Sequence, residues 1–475
     1  MRISNGLFCV MICALLVSCT DNQEYDIVFQ GGQVYDPETG FSETRNVGVT
    51  GDRIAKISKE KLKGKFIMDI AGLVLSPGFI DLHVHGTTLQ ENQYQIHDGV
   101  TTALDLEFGA ASIEEFIAKR TGTSLINFGA SVAQGQLRTQ AMNAWKNRDG
   151  KESVDYNFKS LDAAEIEEMK SLVSEQVRRG GLGIGVPIGY YPAATRREIY
   201  EVYKLAQELS VPIFSHIRMG KALAVQEVLA DAMTTGASLH IVHINSSSGN
   251  ELDLTLEMIQ RAKEKGFDIT TETYPYTAGS TDLASAIFQP GWQDNLGITY
   301  SDLQWVETGE RLTEETFDQY RKTGGMVIVH QMKAEWITMA VSSPITIIAS
   351  DGMPYSRRAH PRTAGTFSRV LGKYVREEQV LTLMEALTKM TIMPARRLEN
   401  IAPDIKKRGR IQDGCFADIT VFDPEKVIDK ATFDEGLKFS EGIHYVMVNG
   451  VLVLKEGKLV PDVFPGRSVK STIKQ

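Results

Sequence analysis

Two kinds of hydrophobic pattern divide the chain into three stretches. Over residues 25–70, short apolar runs alternate with turn residues: Ile27-Val28-Phe29 leads into Gly31-Gly32, Val34-Tyr35 into Asp36-Pro37, and Val47-Gly48-Val49 into Gly51-Asp52. That spacing predicts strands joined by tight turns. The C-terminal stretch repeats it. Asp418-Ile419-Thr420-Val421-Phe422 and Tyr445-Val446-Met447-Val448 read as strands, and Asn449-Gly450 is the dipeptide that turns a hairpin back into Val451-Leu452-Val453-Leu454. Over residues 73–398 the rhythm changes. Apolar runs (Val211-Pro212-Ile213-Phe214, His240-Ile241-Val242-His243, Met326-Val327-Ile328-Val329, Ile345-Thr346-Ile347-Ile348) alternate with amphipathic stretches at 164–179, 199–208, 221–232 and 254–265. This is the pattern of βα units around a parallel sheet.

The number of such units favours a closed barrel over an open doubly wound sheet, and no Gly-x-Gly-x-x-Gly follows the first strand to mark a dinucleotide fold. The expected class is α/β: a TIM-like (β/α)8 barrel over 73–401, with a small composite β-sandwich formed by segments 22–72 and 402–475. Residues 280–343 are less regular, with turns at Pro290-Gly291 and Gly324-Gly325, and are expected to form a lid-like insertion.

Composition changes this picture little. A chain of 475 residues has room for a barrel and a satellite domain, and 42% apolar with 23% charged residues is ordinary for a globular protein. A formal net charge of -9 argues against a nucleic-acid partner, which would call for a basic face. The N-terminus adds more. Behind Arg2, an unbroken apolar run of 11 residues from Leu7 to Val17 has the length of a secretory h-region and is too short to span a bilayer. Leu16-Val17-Ser18-Cys19 resembles the bacterial lipobox. That implies a signal over residues 1–19, lipidation of Cys19, and a soluble body tethered to the membrane surface in the bacterial cell envelope, on the periplasmic side or the cell surface. Cys9 and Cys13 would leave with the signal and Cys415 would remain as a free thiol, so neither a disulfide framework nor a cysteine-rich zinc site is expected.

The candidate chemistry lies in the nine histidines and a few carboxylates. His83 and His85, one residue apart on a strand, point to the same face, and two neutral imidazoles converging this way suit zinc or another borderline divalent ion. In Thr101-Thr102-Ala103-Leu104-Asp105-Leu106-Glu107, both acids share the face opposite the leucines. A barrel strand buried on both faces should be apolar, and a buried carboxylate needs a cation or hydrogen bonds. His216 and His243 each follow a short apolar strand, which places them at its C-terminal end, where barrel enzymes carry their catalytic groups. His240 falls on the opposite face from His243 and reads as structural. Asp351 follows the strand at 345–348 directly.

The string Ser76-Pro77-Gly78-Phe79-Ile80-Asp81-Leu82-His83-Val84-His85-Gly86 resembles the first-strand motif of the amidohydrolase superfamily, in which both histidines bind metal. The resemblance implies His216 and His243 as further ligands. It also makes Asp351 the general base that takes a proton from metal-activated water and later, as acid, returns it to the leaving group. Many members bridge two metals with a carbamylated lysine. This stretch has none, which makes Glu107 the candidate bridging ligand and Asp105 the second choice. Glu272-Thr273-Tyr274-Pro275-Tyr276 and His360-Pro361-Arg362, with Arg369-Val370-Leu371-Gly372 and Lys389-Met390-Thr391, resemble the N-acyl-D-amino-acid deacylase (D-aminoacylase) family over about residues 25–470. That family implies Tyr274, Ser280 and Arg362 as the grip on the substrate carboxylate, a role the planar guanidinium fork suits.

Three features depart from the family. Its cysteine ligand after the second strand matches Phe108 here, one residue past Glu107. Ala133-Gln134 stands where a Gly-His pair is usual, and Tyr190-Tyr191-Pro192 resembles a Tyr-Pro element with different spacing. The expectation is a zinc enzyme with one or two ions. It would cleave carbon–nitrogen bonds other than peptide bonds, in N-acyl-amino acids of D configuration, small molecules with a free carboxylate. The rivals are a dihydroorotase- or hydantoinase-type cyclic-amide hydrolase, an isoaspartyl-type dipeptidase, and a metal-retaining binding lipoprotein without turnover. An open substrate carboxylate needs a clamp such as Arg362 with Tyr274, which favours the deacylase. The intact His83, His85, His216, His243 and Asp351 set argues against the binding protein.

Overall fold

The computed structural model describes residues 23–146, 156–354 and 356–473. The lipobox and its cysteines lie outside them. Eight parallel strands follow one another in chain order around a nearly closed barrel: Phe79–Asp81, Val100–Ala110, Asn127–Ala133, Ile184–Pro187, Ile213–His216, Leu239–Ile241, Ile269–Thr273 and Thr346–Ile348. The seam between the first and last strands closes just beyond their C-terminal ends. There a parallel bridge joins Val84 to Gly352, and the His85 N–H donates to the Gly352 carbonyl at 2.7 Å. The barrel therefore completes itself at the residues that carry the candidate chemistry.

The helices that wrap it form for local reasons. Ala163–Arg178 opens on a capping box in which Asp162 accepts the Glu165 N–H and Glu165 accepts the Asp162 N–H. Ile166, Met169, Val173 and Val177 recur at helical spacing and pack with Val132, Ile184 and Val186 of the barrel strands. Each such side chain contributes about 1.5–3 kcal/mol of burial. Thr195 caps Arg196–Leu209 by accepting the Glu198 N–H with its side chain.

Both ends of the chain enter one nine-stranded sheet, in which Val74–Pro77 lies between Glu24–Asp36 and Ile419–Phe422. Residues from the two ends, among them Phe29, Val47, Ile419 and Met447, share one core. The Asn449-Gly450 turn has positive φ at both positions (48° and 80°), the backbone a two-residue hairpin requires. Among the described residues no helix is long and apolar enough to cross a membrane.

One strand falls elsewhere than its pattern suggests. Met326–Val329 is no barrel strand; it pairs antiparallel with Gly279–Asp282 and Leu303–Trp305 in a separate three-stranded sheet. This sheet, with its own core of Leu283, Phe288, Trp292 and Phe317, is inserted between the seventh and eighth barrel strands. The helix Ala334–Ser342, inside the expected 280–343 span, instead packs on the barrel through Ile337, Ala340 and Val341.

Candidate metal centre

The first barrel strand ends at Asp81, whose Oδ1 accepts the backbone N–H groups of His83 (3.1 Å) and Ser350 (3.0 Å). One buried carboxyl thus ties the turn carrying His83 and His85 to the turn carrying Asp351; burial pushes it up to about 6 despite these bonds. His83 Nε2 and His85 Nε2 lie 3.1 Å apart and face Glu107 Oε2 at 2.9 and 3.0 Å. Asp351 Oδ1 completes the group at 3.5 Å from His83 and 3.4 Å from His85. The other Glu107 oxygen, Oε1, lies 2.6 Å from His216 Nδ1 and 3.4 Å from His243 Nε2, and these two nitrogens are 3.1 Å apart. Two donor clusters therefore share one carboxylate, an oxygen to each.

This donor set fits a metal ion. His83 Nδ1 lies 2.5 Å from Glu272 Oε1, so Nδ1–H donates there and Nε2 keeps its lone pair for the centre. The imidazole and carboxylate lone pairs aimed at one another would repel without a cation between them, and nitrogen and oxygen donors suit zinc or a similar ion. The carboxylates make the site one that attracts positive charge, from a proton or a metal ion alike. Burial opposes charge throughout, yet Asp351, Glu272 and Glu107 around His83 hold its basicity well above the usual imidazole range. Burial would likewise raise Glu107, but His83 and the bonds to His216 and His243 hold it well below the usual carboxylate range. For Asp351, Arg362 and His83 overcome burial to the same effect. His243 and Asp351 also adopt positive φ (32° and 51°), a strain of about 1–3 kcal/mol each that recurs where side chains must be aimed at a site.

All five expected ligands and Asp351 thus come together. Asp105 stands outside the donor clusters, 3.8 Å from His85 Nδ1, and accepts the Gly109 N–H at 2.9 Å. Tyr274, Ser280 and Arg362 open on the same cavity of about 650 Å³ as His85, His216 and Asp351. Arg362 is only 1% exposed and its guanidinium lies over the Tyr274 ring at 4.7 Å. Its Nη1 approaches Asp351 Oδ2 to 2.8 Å as an ion pair. The contact lacks hydrogen-bond alignment, and all three guanidinium nitrogens are without a hydrogen-bond partner among the described residues. Phe108 packs its ring against His85 at 4.9 Å and against Tyr190 at 5.2 Å, and Tyr190 covers His216 at 4.8 Å.

Sequence reasoning missed the residues that hold this set in place. Glu272 bridges His83 to His240 (Oε2 to Nε2, 2.9 Å), and His240 Nδ1 contacts Thr270 Oγ1 at 2.8 Å. His240 is structural as read, but its structural task is to orient a ligand's partner. The signal was present: Glu272 is a carboxylate in a buried strand, as Glu107 is. His360 Nε2 donates to the Ala278 carbonyl (2.7 Å) and its Nδ1 accepts the Arg362 N–H (3.2 Å), which fixes the loop that delivers the guanidinium. Gly189 leaves room for a ligand: a Cβ there would sit 2.8 Å from His216 Nε2.

Comparison with known proteins places this geometry in context. A sequence model of the amidohydrolase family matches residues 160–454. The D-aminoacylase of Alcaligenes xylosoxydans xylosoxydans is 29% identical, over 93% of this chain and 96% of that protein. The N-acyl-D-glutamate deacylase of the same organism is 28% identical, over 94% and 97%. Among solved structures, the N-acyl-D-glutamate deacylase of Bordetella bronchiseptica, complexed with zinc and a phosphonate mimic of the tetrahedral intermediate, superposes with a TM-score of 0.82 at 26% identity, covering 94% of this chain and 100% of that one.

Proposed function

The chain belongs to the amidohydrolase family, and from that premise we propose that it is a metal-dependent deacylase of N-acyl-amino acids, of D configuration as in the relatives named above. One observation carries the substrate class. Arg362 is a buried cation with unbonded nitrogens, opening on the same cavity as the histidine cluster, and it offers a fork to an open carboxylate. A hydantoin without a free carboxylate would leave that fork unmatched, which disfavours the hydantoinase reading.

In this reading His83, His85, Glu107 and Asp351 would hold one zinc ion, and Glu107, His216 and His243 could hold a second. Bound there, the metal polarises the scissile carbonyl and lowers the pKa of the attacking water. The protein's own residues do the rest. Arg362, with Tyr274 and Ser280, grips the α-carboxylate and sets the amide before the donor clusters. Asp351, held ionised beside Arg362, accepts a proton from water as the new C–O bond forms. It then delivers that proton to the amide nitrogen as the C–N bond breaks, releasing a carboxylic acid and the free amino acid. Phe108 and Tyr190 wall the site from bulk solvent. We further propose that Cys19 carries lipid and holds the enzyme at the cell envelope, on the strength of Leu16-Val17-Ser18-Cys19. Palmitate labelling that is lost in Cys19→Ala supports this, and labelling that persists rejects it.

The test of the main reading is a hydrolysis screen of N-acetyl-D- and N-acetyl-L-amino acids, dipeptides and hydantoins with zinc supplied, beside metal analysis of protein purified without chelators. Turnover of N-acetyl-D-amino acids is expected. Turnover confined to dipeptides or cyclic amides, or protein without divalent metal, would reject the proposal.

A further inference from the structure

The cavity wall carries four lysine and arginine side chains, and three of them are accounted for, Arg362 by the proposed grip on the α-carboxylate. Arg362 faces Asp351. Arg218 is tied to Glu227 at 3.1 Å and to the Ala194 carbonyl at 2.6 Å. Lys333 reaches into solvent with 66% of its side chain exposed, 4.0 Å from Glu335. Lys221 differs. Its Nζ is held at 2.6 Å by a neutral partner, Asn250 Oδ1, and among the described residues no carboxylate lies within ion-pair distance of it. The carboxylates on the wall are committed elsewhere: Glu107 and Asp351 belong to the metal centre, and Asp282 accepts the Ala284 and Gly325 N–H groups at 2.7 and 3.2 Å.

The backbone at Lys221 points the same way. It adopts φ 52°, ψ −123°, a conformation that glycine enters at far lower cost than any residue with a Cβ. Gly249, on the loop that carries Asn250, takes nearly the same angles (φ 52°, ψ −124°) as a glycine. At position 221 the chain keeps a lysine in a glycine's conformation, and Asn250 steadies its ammonium beside the cavity.

Resting on the deacylase reading, we infer that Lys221 is a second anion-binding residue, and that the enzyme prefers N-acyl-amino acids carrying a second carboxylate remote from the one at Arg362. Arg362 lies on the loop after the eighth barrel strand, whereas Lys221 and Asn250 lie on loops after the fifth and sixth. The two anionic groups would thereby be received by different loops of the same cavity. The second carboxylate belongs either to the amino-acid side chain or to the acyl group, and recognition by an ammonium is common to both.

The experiment compares matched pairs with the zinc-loaded full chain. N-acetyl-D-glutamate is set against N-acetyl-D-glutamine for the side chain, and N-succinyl-D-alanine against N-succinamoyl-D-alanine for the acyl group. One pair should show a kcat/KM preference of about ten- to a hundredfold for the dianion, the worth of one charge-assisted hydrogen bond. Lys221→Met should collapse that ratio toward unity. Lys221→Gly should do the same while relieving the backbone, so a collapse in both variants cannot be ascribed to misfolding. Turnover with no dianion preference in either pair, or a preference that survives both substitutions, would overturn the inference and leave the deacylase reading standing. Absence of turnover on all four compounds and on other N-acetyl-D-amino acids would overturn the two together.

Discussion

Replacing Arg362 by methionine removes a buried guanidinium while keeping an unbranched stem in its place. The structure sets the size of the effect. All three nitrogens lack an aligned hydrogen bond to described residues and are shielded from water, so a carboxylate gripped by the fork gains two charge-assisted bonds against the competition of the Asp351 ion pair at 2.8 Å. At about 1.5–3 kcal/mol for each bond, R362M should lose about 3–6 kcal/mol, or about 10²–10⁴ in kcat/KM. Lysine keeps the charge and forfeits the fork, so R362K should lose about half of that. A complication comes from the 2.8 Å approach to Asp351, because the guanidinium also helps keep that carboxyl ionised. Without Arg362 the Asp351 carboxyl rises, and the acid limb of the pH–rate profile moves to higher pH. A pair of substrates separates the two effects: an N-acetyl-D-amino acid and the same compound with its α-carboxylate replaced by a carboxamide. Damage done through Asp351 falls on both equally, whereas loss of the carboxylate grip falls on the acid alone. The expected result is a wild-type preference for the acid that R362M abolishes. Equal losses on acid and amide would refute the clamp and leave Arg362 as a support for the base.

Asp351→Asn should retain metal and lose about 10²–10⁴ in kcat, since proton transfer is removed while an oxygen ligand stays; metal analysis beside turnover checks both, and normal turnover would reject the assignment. Glu272→Gln keeps an acceptor for His83 Nδ1–H at 2.5 Å but removes its charge, so metal affinity in a chelator competition should fall about 10–100-fold. Unchanged affinity would show that the His83–Glu272–His240 chain is packing alone. Lys389 is buried, its ammonium donating to the Thr346 carbonyl at 3.1 Å and Oγ1 at 3.2 Å, and burial brings it down to about 8 from 10.5. The folded state then binds fewer protons than the unfolded chain between these values, so this group's contribution to stability rises with pH across the window, by up to about 3 kcal/mol. Chemical denaturation of Lys389→Met at pH 8 and pH 10.5 should show that increment missing; an unaltered pH dependence would contradict it.

What the sequence reveals and conceals follows from distance along the chain. His83, His85, His216, His243 and Asp351 could be read because each sits at or just after an apolar strand, where the period gives out and a polar side chain needs a reason. Glu272 could not be linked to His83 in that way, because the two are 189 positions apart and only barrel closure brings them together. Met326–Val329 failed for another reason. A short buried apolar run looks alike in a parallel barrel and in an antiparallel insertion; of its partners, Gly279–Asp282 carries no apolar period and Leu303–Trp305 is only three residues long. Periodicity also left Asp105 and Glu107 equivalent, since both lie on one strand face.

What separates Asp105 from Glu107 is a break in register. The strand Val100–Ala110 pairs evenly with its neighbour as far as Asp105–Ala130, then resumes only at Ala110–Val132, with Gly109 at φ 70° between. Such a bulge bends the strand and re-aims its side chains. Asp105 is left behind His85, while Glu107 turns into the centre with one oxygen for each donor cluster. The same break bears on the departure from the D-aminoacylase pattern, where the ligand is a cysteine at the position of Phe108. Moving a ligand by one residue in a regular strand would send it to the opposite face. Within a bulge that rule is suspended, so the carboxylate can take the bridging place while position 108 becomes an aromatic wall against His85 and Tyr190. With metal bound as proposed, the exchange would alter the centre's chemistry as well as its shape. A thiolate is soft and singly disposed toward one nearby ion, whereas a carboxylate has two oxygens with which to tie a pair of hard or borderline ions together.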